Sequence, residues 1–269
     1  MPTLNSQNYL QLKRARKKKI RLILYCSLGA IGAAGVSYFL FFSGYFSIRA
    51  VSVSGVDSAL AEEVKKIAWA ELEGSVLFVS RRNVLLFSMN EISEKVKNEM
   101  PILEVVTVKK RFIHNIAIEA KLREKKGIAC AEDGRTQCFY FDKNGVIFEE
   151  SPEIVGAAIL LFRDNTVLGS VLPSEKYSKE TVDFADNIKA KLFEKTGISI
   201  SYFSFLNDDG DIEAQTDKGF KIMMTTNGQA EEQARVIKSV LENEIKDKIN
   251  SLDYIDLRVE NRAYYKLRE

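Results

Sequence analysis

The 269-residue sequence is poor in the residues from which most catalytic and metal centres are built: it has one histidine, three cysteines and one tryptophan. Metal sites want His and Cys at short spacing, as in paired C-x-x-C or H-E-x-x-H, and neither pattern occurs. The lone His114, in the turn or strand start Arg111-Phe112-Ile113-His114-Asn115, has no second titrating partner nearby in sequence and reads as a surface or packing residue. No G-x-x-x-x-G-K-[ST] phosphate loop is present. The paired carboxylates Asp208 and Asp209 fall in a Gly-containing turn, where Asp is favoured for local hydrogen bonding. These absences point away from an enzyme and from any metal, cofactor or small-molecule substrate. Prolines number four, and there is no internal repeat, low-complexity tract or long linker.

Acidic residues are missing from the first 48 positions, which hold seven Lys or Arg; the whole chain carries +2, so the remainder carries −5. The seven cations, from Lys13 to Arg21, run directly into Leu-Ile-Leu-Tyr-Cys at 22–26, the start of 21 uncharged residues ending at Phe42. At about 1.5 Å per residue such a helix matches a hydrocarbon layer of about 30 Å. A cationic flank stays on the cytoplasmic side. Residues 1–21 therefore read as a basic cytoplasmic tail, 22–42 as a transmembrane helix, and the C-terminal bulk of the chain as exported. A cleaved secretory signal fits less well, because its apolar core is shorter and ends in small residues, whereas Tyr45 and Phe46 come next here. The basic run is topogenic or drawn to anionic lipid, so no nucleic-acid partner is expected.

Beyond the span, residues 47–53 alternate as a strand and Gly55 stops them. Asp57 or Ser58 caps a helix over 58–72, with Leu60, Val64, Ile67 and Ala68 on one face. Ser88 and Glu91 form a capping box, with Phe87 and Ile92 at the staple positions, opening a helix that Pro101 ends. Strand patterns over 102–110 and 113–119 complete a β-α-α-β-β order. From Gly127 the texture turns β-rich, with turn signals at 132–135, Asn144-Gly145 and 208–211. Helices over 179–195 and 229–248 interrupt it, and a strand over 254–267 closes it. Cys130 and Cys138 flank the first turn symmetrically. A cross-strand disulfide is geometrically allowed there, the alternative being two unpaired small hydrophobes.

Several local marks recur in order along the chain: Phe46, Ile48, Val51, Val53 and Gly55 just outside the span; Gly74-Ser75-Val76-Leu77-Phe78 between the two helices; Glu124-Lys125-Lys126-Gly127-Ile128-Ala129; Tyr140-Phe141-Asp142 with Gly145; and Ile255-Asp256-Leu257-Arg258. In this order they resemble the FtsQ/DivIB family of bacterial cell-division proteins. After Val108 the pattern departs, since Arg111-Phe112-Ile113 stands where the family usually has a proline. The resemblance implies an α+β fold: one N-terminal transmembrane helix, a POTRA domain over 46–123, and a β domain over 124–269 with two helices and a C-terminal edge strand. It implies a non-catalytic divisome scaffold in the cell membrane, at the division septum. Such a scaffold binds FtsB-like and FtsL-like bitopic division proteins and helps regulate septal peptidoglycan synthesis. The alternative readings are a membrane-anchored cell-wall enzyme, an extracytoplasmic sensor, or an assembly factor with a POTRA domain. On the scaffold reading the partner adds to the last strand, where Val259, Asn261, Ala263, Tyr265 and Leu267 share one face and Tyr264 and Lys266 the other.

Overall fold

The computed structural model describes residues 6–76, 79–112, 114–131, 137–152, 159–206, 210–259 and 262–268. The protein is mixed α+β, with one long N-terminal helix and a sheet-rich remainder. It forms two compact units, one of residues 1–99 and 105–121, the other of 100–104 and 122–269.

The first unit opens with α1 (Ser6–Phe42), whose segment Arg16–Phe42 is long and apolar enough to cross a bilayer. The basic tail is thus helical from Ser6 and continuous with the apolar stretch. After a 3₁₀ turn at Gly44–Phe46 come β1 (Ala50–Ser54), α2 (Ser58–Leu72), the two-residue strands β2 (Ser75–Val76) and β3 (Val79–Ser80), α3 (Met89–Glu99), β4 (Leu103–Arg111) and β5 (Asn115–Leu122). The small β2–β3 pair lies between helices that the sequence pattern placed in direct succession.

Local chemistry explains both helix starts. Asp57 accepts a hydrogen bond from Leu60 N at 3.0 Å, and Ser88 Oγ accepts one from Glu91 N at 3.3 Å, each satisfying a donor that an α-helix leaves orphaned. α2 buries Ala61, Val64, Ile67, Ala68 and Leu72, and α3 buries Ile92 and Val96. The three-stranded sheet has the order β1-β5-β4, with β1 parallel to β5 so that Val51 faces Ile116 and Val53 faces Ile118. Gly55 ends β1 at φ +93°, where a Cβ would lie 2.1 Å from the Ala120 carbonyl oxygen, so only glycine fits.

The second unit contains β6 (Gly127–Cys130), β7 (Cys138–Phe141), β8 (Val146–Ser151), β9 (Leu160–Arg163), β10 (Ser174–Glu175), α4 (Lys179–Thr196), β11 (Ile200–Phe205), β12 (Asp211–Thr216), β13 (Lys221–Thr225), α5 (Ala230–Val240), β14 (Leu252–Asp256) and β15 (Tyr264–Leu267). All the strands join one ten-stranded sheet in the order β10-β8-β7-β6-β9-β11-β12-β13-β14-β15. Most neighbours are antiparallel; β6–β9, β9–β11 and β13–β14 run parallel. One core cluster joins α4 and α5 (Val182, Ile188, Leu192, Ala234, Ile237) to strand residues such as Phe139, Phe162, Phe203, Ile222 and Ile255. Ile128, Cys130, Cys138 and Leu161 form a separate, smaller cluster. The helix expected over 229–248 keeps α geometry only to Val240, then passes through a π turn and a 3₁₀ turn. Burial of Ile245 and Leu252, each 1% exposed, draws the chain onto the core before the expected end, and tertiary packing overrides helical preference.

The Asp142 carboxylate anchors the β7–β8 turn. It accepts from Asn144 N at 2.8 Å and Val146 N at 3.0 Å, and pairs with the Arg123 guanidinium at 2.5 Å. Arg123 Nε donates in turn to the Pro101 carbonyl at 2.9 Å. Asp142 is buried at 2% exposure and the Arg123 side chain is largely covered at 14%. Removing one partner of a buried pair leaves an uncompensated charge, so Arg123→Ala should cost about 3–5 kcal/mol. The measurement is the urea midpoint of unfolding for the full chain in detergent.

Candidate partner-binding edge

The last 18 residues build the exposed edge of the second unit's sheet. The sequence suggests a single strand over 254–267, but the chain folds back on itself, and β14 and β15 pair antiparallel with Tyr254 opposite Lys266 and Ile255 opposite Tyr265. A side-chain hydrogen-bond cluster marks the break. Asp256 accepts from Arg258 three times, from its backbone N at 3.1 Å, its Nε at 2.9 Å and a terminal guanidinium nitrogen at 2.7 Å. Arg262 N then donates to the Val259 carbonyl at 3.1 Å, closing a turn. The Arg258 side-chain hydrogen bond, aided by its backbone N–H and its charge, holds the Asp256 carboxyl below its ordinary range against the opposing effect of burial.

Of the residues expected to form the binding strand, Tyr264, Tyr265 and Leu267 lie in β15. Val259 and Ala263 precede it, outside any strand, and Asn261 lies outside the described residues. The expected five-residue ladder on one face is therefore shorter. Ala263 and Leu267 pack against the main core, while Tyr264 and Tyr265 are 46% and 42% exposed. Two large aromatic side chains thus stand uncovered beside an open backbone edge.

The direction of the backbone groups is set by one bond. Arg268 N donates to the Ser251 carbonyl at 2.6 Å, so the Arg268 backbone faces β14. The register shifts on β14 between Leu252 and Tyr254, where β14 carries the extra residue, so alternation along β15 itself turns the N–H and C=O of Tyr264 and Lys266 toward β14, and those of Tyr265 and Leu267 away from it. Among the described residues β15 has no further strand neighbour. Its end is pinned by the Arg268 guanidinium, which donates to the Gly219 carbonyl in the β12–β13 turn. Sequence reasoning missed this pin, because a lone cation near the last strand carries no periodic or motif signal.

The remaining singled-out residues lie apart from this edge. Cys130 and Cys138 are directly opposite on β6 and β7, their sulfurs 2.02 Å apart, with 4% and 2% exposure. Cys26 in α1 is an exposed free thiol. His114 Nδ1 lies 3.1 Å from the Ser47 carbonyl oxygen, and its ring meets Tyr45 edge-on. Asp208 and Asp209 lie outside the described residues. No group of three or more His, Cys, Asp or Glu placed to hold a metal occurs among the described residues.

No protein-family model matches the chain, and no curated protein matches it. Among solved structures it is similar to the major extracytoplasmic domain of the trans isomer of the bacterial cell-division protein DivIB from Geobacillus stearothermophilus. That likeness has 13% identity, covers 46% of this chain and 98% of the other, and has a TM-score of 0.28. At that score it carries no argument about fold or function.

The edge geometry makes two outcomes testable. Proline tolerates an edge position only where its missing N–H would have pointed outward. Tyr265→Pro should therefore leave the thermal midpoint much nearer wild type than Lys266→Pro, which removes an inward donor. The second concerns acid. A carboxyl with a depressed folded pKa adds stability that is complete above the unfolded value of about 3.9 and drains as pH falls through the folded value. Asp256→Asn should therefore flatten part of the stability loss below about pH 4 in acid titrations monitored by circular dichroism.

Proposed function

We propose that the chain is a single-pass membrane protein, with its N-terminus in the cytoplasm, that acts as a non-catalytic scaffold of bacterial cell division. On this reading residues 46–123 are a POTRA domain and 124–269 a β domain that takes a partner's strand along β15. The observation that carries it is the outer edge of β15, where the Tyr265 and Leu267 backbone groups point away from the sheet beside two exposed tyrosines. Strand addition draws affinity from main-chain hydrogen bonds and specificity from alternate side chains. Tyrosine is enriched at binding hot spots, since it covers much apolar area while keeping a polar tip. The ordered marks from Phe46 to Arg258 that resemble the FtsQ/DivIB family give the partner class: FtsB-like and FtsL-like bitopic division proteins.

The mechanism needs no reactive group. A partner segment becomes an eleventh strand, and its arrival at the septum is coupled to peptidoglycan synthesis through the assembly rather than through chemistry on this chain. The Cys130–Cys138 pair fits the exported orientation, because a disulfide persists on the oxidising side of the membrane. Closing so short a loop adds about 2.5 kcal/mol in the chain-entropy model.

Tyr265→Pro should abolish co-purification of the FtsB-like and FtsL-like proteins from membranes while the protein stays inserted and folded. Undiminished capture by this variant would refute strand addition. A fluorescent fusion of the full chain should gather at the division plane, and uniform envelope staining would refute the division role. For the disulfide, protein taken from its own envelope should gain one alkyl group on unfolding without reductant, at Cys26, and three with it. Three without reductant would mean two free thiols and would remove the support from oxidation.

A further inference from the structure

The C-terminal end of α1 is held by a residue more than forty positions away. Asn83, 3% exposed, donates from Nδ2 to the Leu40 carbonyl at 2.9 Å and the Phe41 carbonyl at 3.2 Å, while its Oδ1 accepts from Leu85 N at 2.9 Å. Those carbonyls belong to the last helical turn, whose acceptors have no intrahelical partner. The turn around Asn83 is fixed further by Val84 N to Phe46 O and Ile48 N to Arg82 O, both at 2.8 Å. A second loop, the β4–β5 turn, grips the same segment: the His114 carbonyl accepts from Arg49 N at 2.7 Å, and Lys110 Nζ donates to the Val84 carbonyl at 2.8 Å. Both loops therefore sit at the level where α1 ends.

Both loops also present uncovered apolar side chains. Leu85 is 50% exposed, Leu86 44% and Phe112 90%. Phe112 stands at φ +57°, a left-handed conformation that disfavours bulky residues. A strained and uncovered ring at a loop tip gains nothing from its own fold. Around it Arg49 and Arg111 are exposed, and Glu119, which Arg111 helps to stabilise as a carboxylate, is held chiefly by Lys109 at 2.7 Å. Each headgroup layer is about 5–8 Å deep beyond the hydrocarbon. Leu85 is two residues, at most about 7 Å of chain, from Asn83, whose side chain touches the helix end, so a span that leaves the hydrocarbon at Phe42 brings Leu85 within reach of that layer.

We infer that these loops form a membrane-docking face: Leu85, Leu86 and Phe112 enter the interfacial layer of the bilayer that α1 crosses, and Arg49, Lys110 and Arg111 meet anionic lipid phosphates. The first unit is thereby held on the membrane surface and does not swing freely from the end of α1. The inference rests on α1 being a membrane span, and the test separates the two.

The full chain carrying Trp69→Phe is reconstituted in vesicles of phosphatidylglycerol and phosphatidylcholine with brominated acyl chains, with either Tyr38→Trp in α1 or Phe112→Trp added. Both positions are exposed, so neither substitution disturbs a core. The expected result is bromine quenching at both, with blue-shifted emission at position 112. Arg111→Gln should lower the docked-to-undocked ratio about fivefold, the factor expected for one interfacial cation. Pure phosphatidylcholine should lower it further. Quenching at 38 but not at 112 overturns the docking face and leaves the span intact. Quenching at neither overturns the span. A blue shift at 112 without quenching overturns the docking face as well, because a partner protein or a second copy then covers it.

Discussion

Backbone hydrogen bonding is the constraint on which the rest of this structure depends. A peptide N–H or C=O that is neither paired nor hydrated costs more than most single contacts supply, so every ladder must be finished deliberately where it stops. In this chain the cost is most acute at two places. An apolar helix ends at Phe42 with carbonyls that have no intrahelical donor, and a ten-stranded sheet ends at β15 with no further strand neighbour among the described residues. The first ending is closed internally by Asn83. The second is left open, and an open edge is an invitation to pair.

The two edges of the large sheet are not equivalent. β10 offers only Ser174 and Glu175, too short a template for another strand, whereas β15 offers four residues held straight by Arg268 at one end and by the Arg258–Asp256 turn on β14 at the other. Rigidity matters because a partner that must order a floppy edge spends its interaction energy on that ordering.

Legibility in the sequence tracked the range of the forces. α2 reads as 58–72 from its apolar stripe and a cap at Asp57 or Ser58; the structure makes Asp57 the cap and buries Val64, Ile67 and Ala68 but not Leu60, because cap and stripe are local signals. The Ser88 half of the capping box is likewise present. The fold-back after Asp256 was not legible: no glycine or proline marks it, the alternation of residues 254–267 continues through it, and the bonds from Arg258 that stabilise it look like an ordinary charged pair in sequence. Two-residue strands such as β2 and β3 are too short to show a period. The parallel pairings, and with them the position of β15 at an edge, depend on which distant strands meet, which no local pattern encodes. The candidate site was thus half visible: its residue types and location could be read, its true length and outward backbone groups could not.

An edge kept open for one partner must still refuse others, including a second copy of itself. Long, flat, apolar edges aggregate, and natural sheets blunt them with short strands and with cations. β15 has both features: it is four residues long, and Lys266 and Arg262 stand beside the tyrosines, the latter donating to the Tyr264 hydroxyl at 3.3 Å. Lys266 also lies 3.9 Å from Asp253 on β14, so part of the positive charge at this edge is offset within the sheet. On the proposed reading, specificity comes from the side chains that flank the edge, and affinity from a backbone that any strand could in principle use.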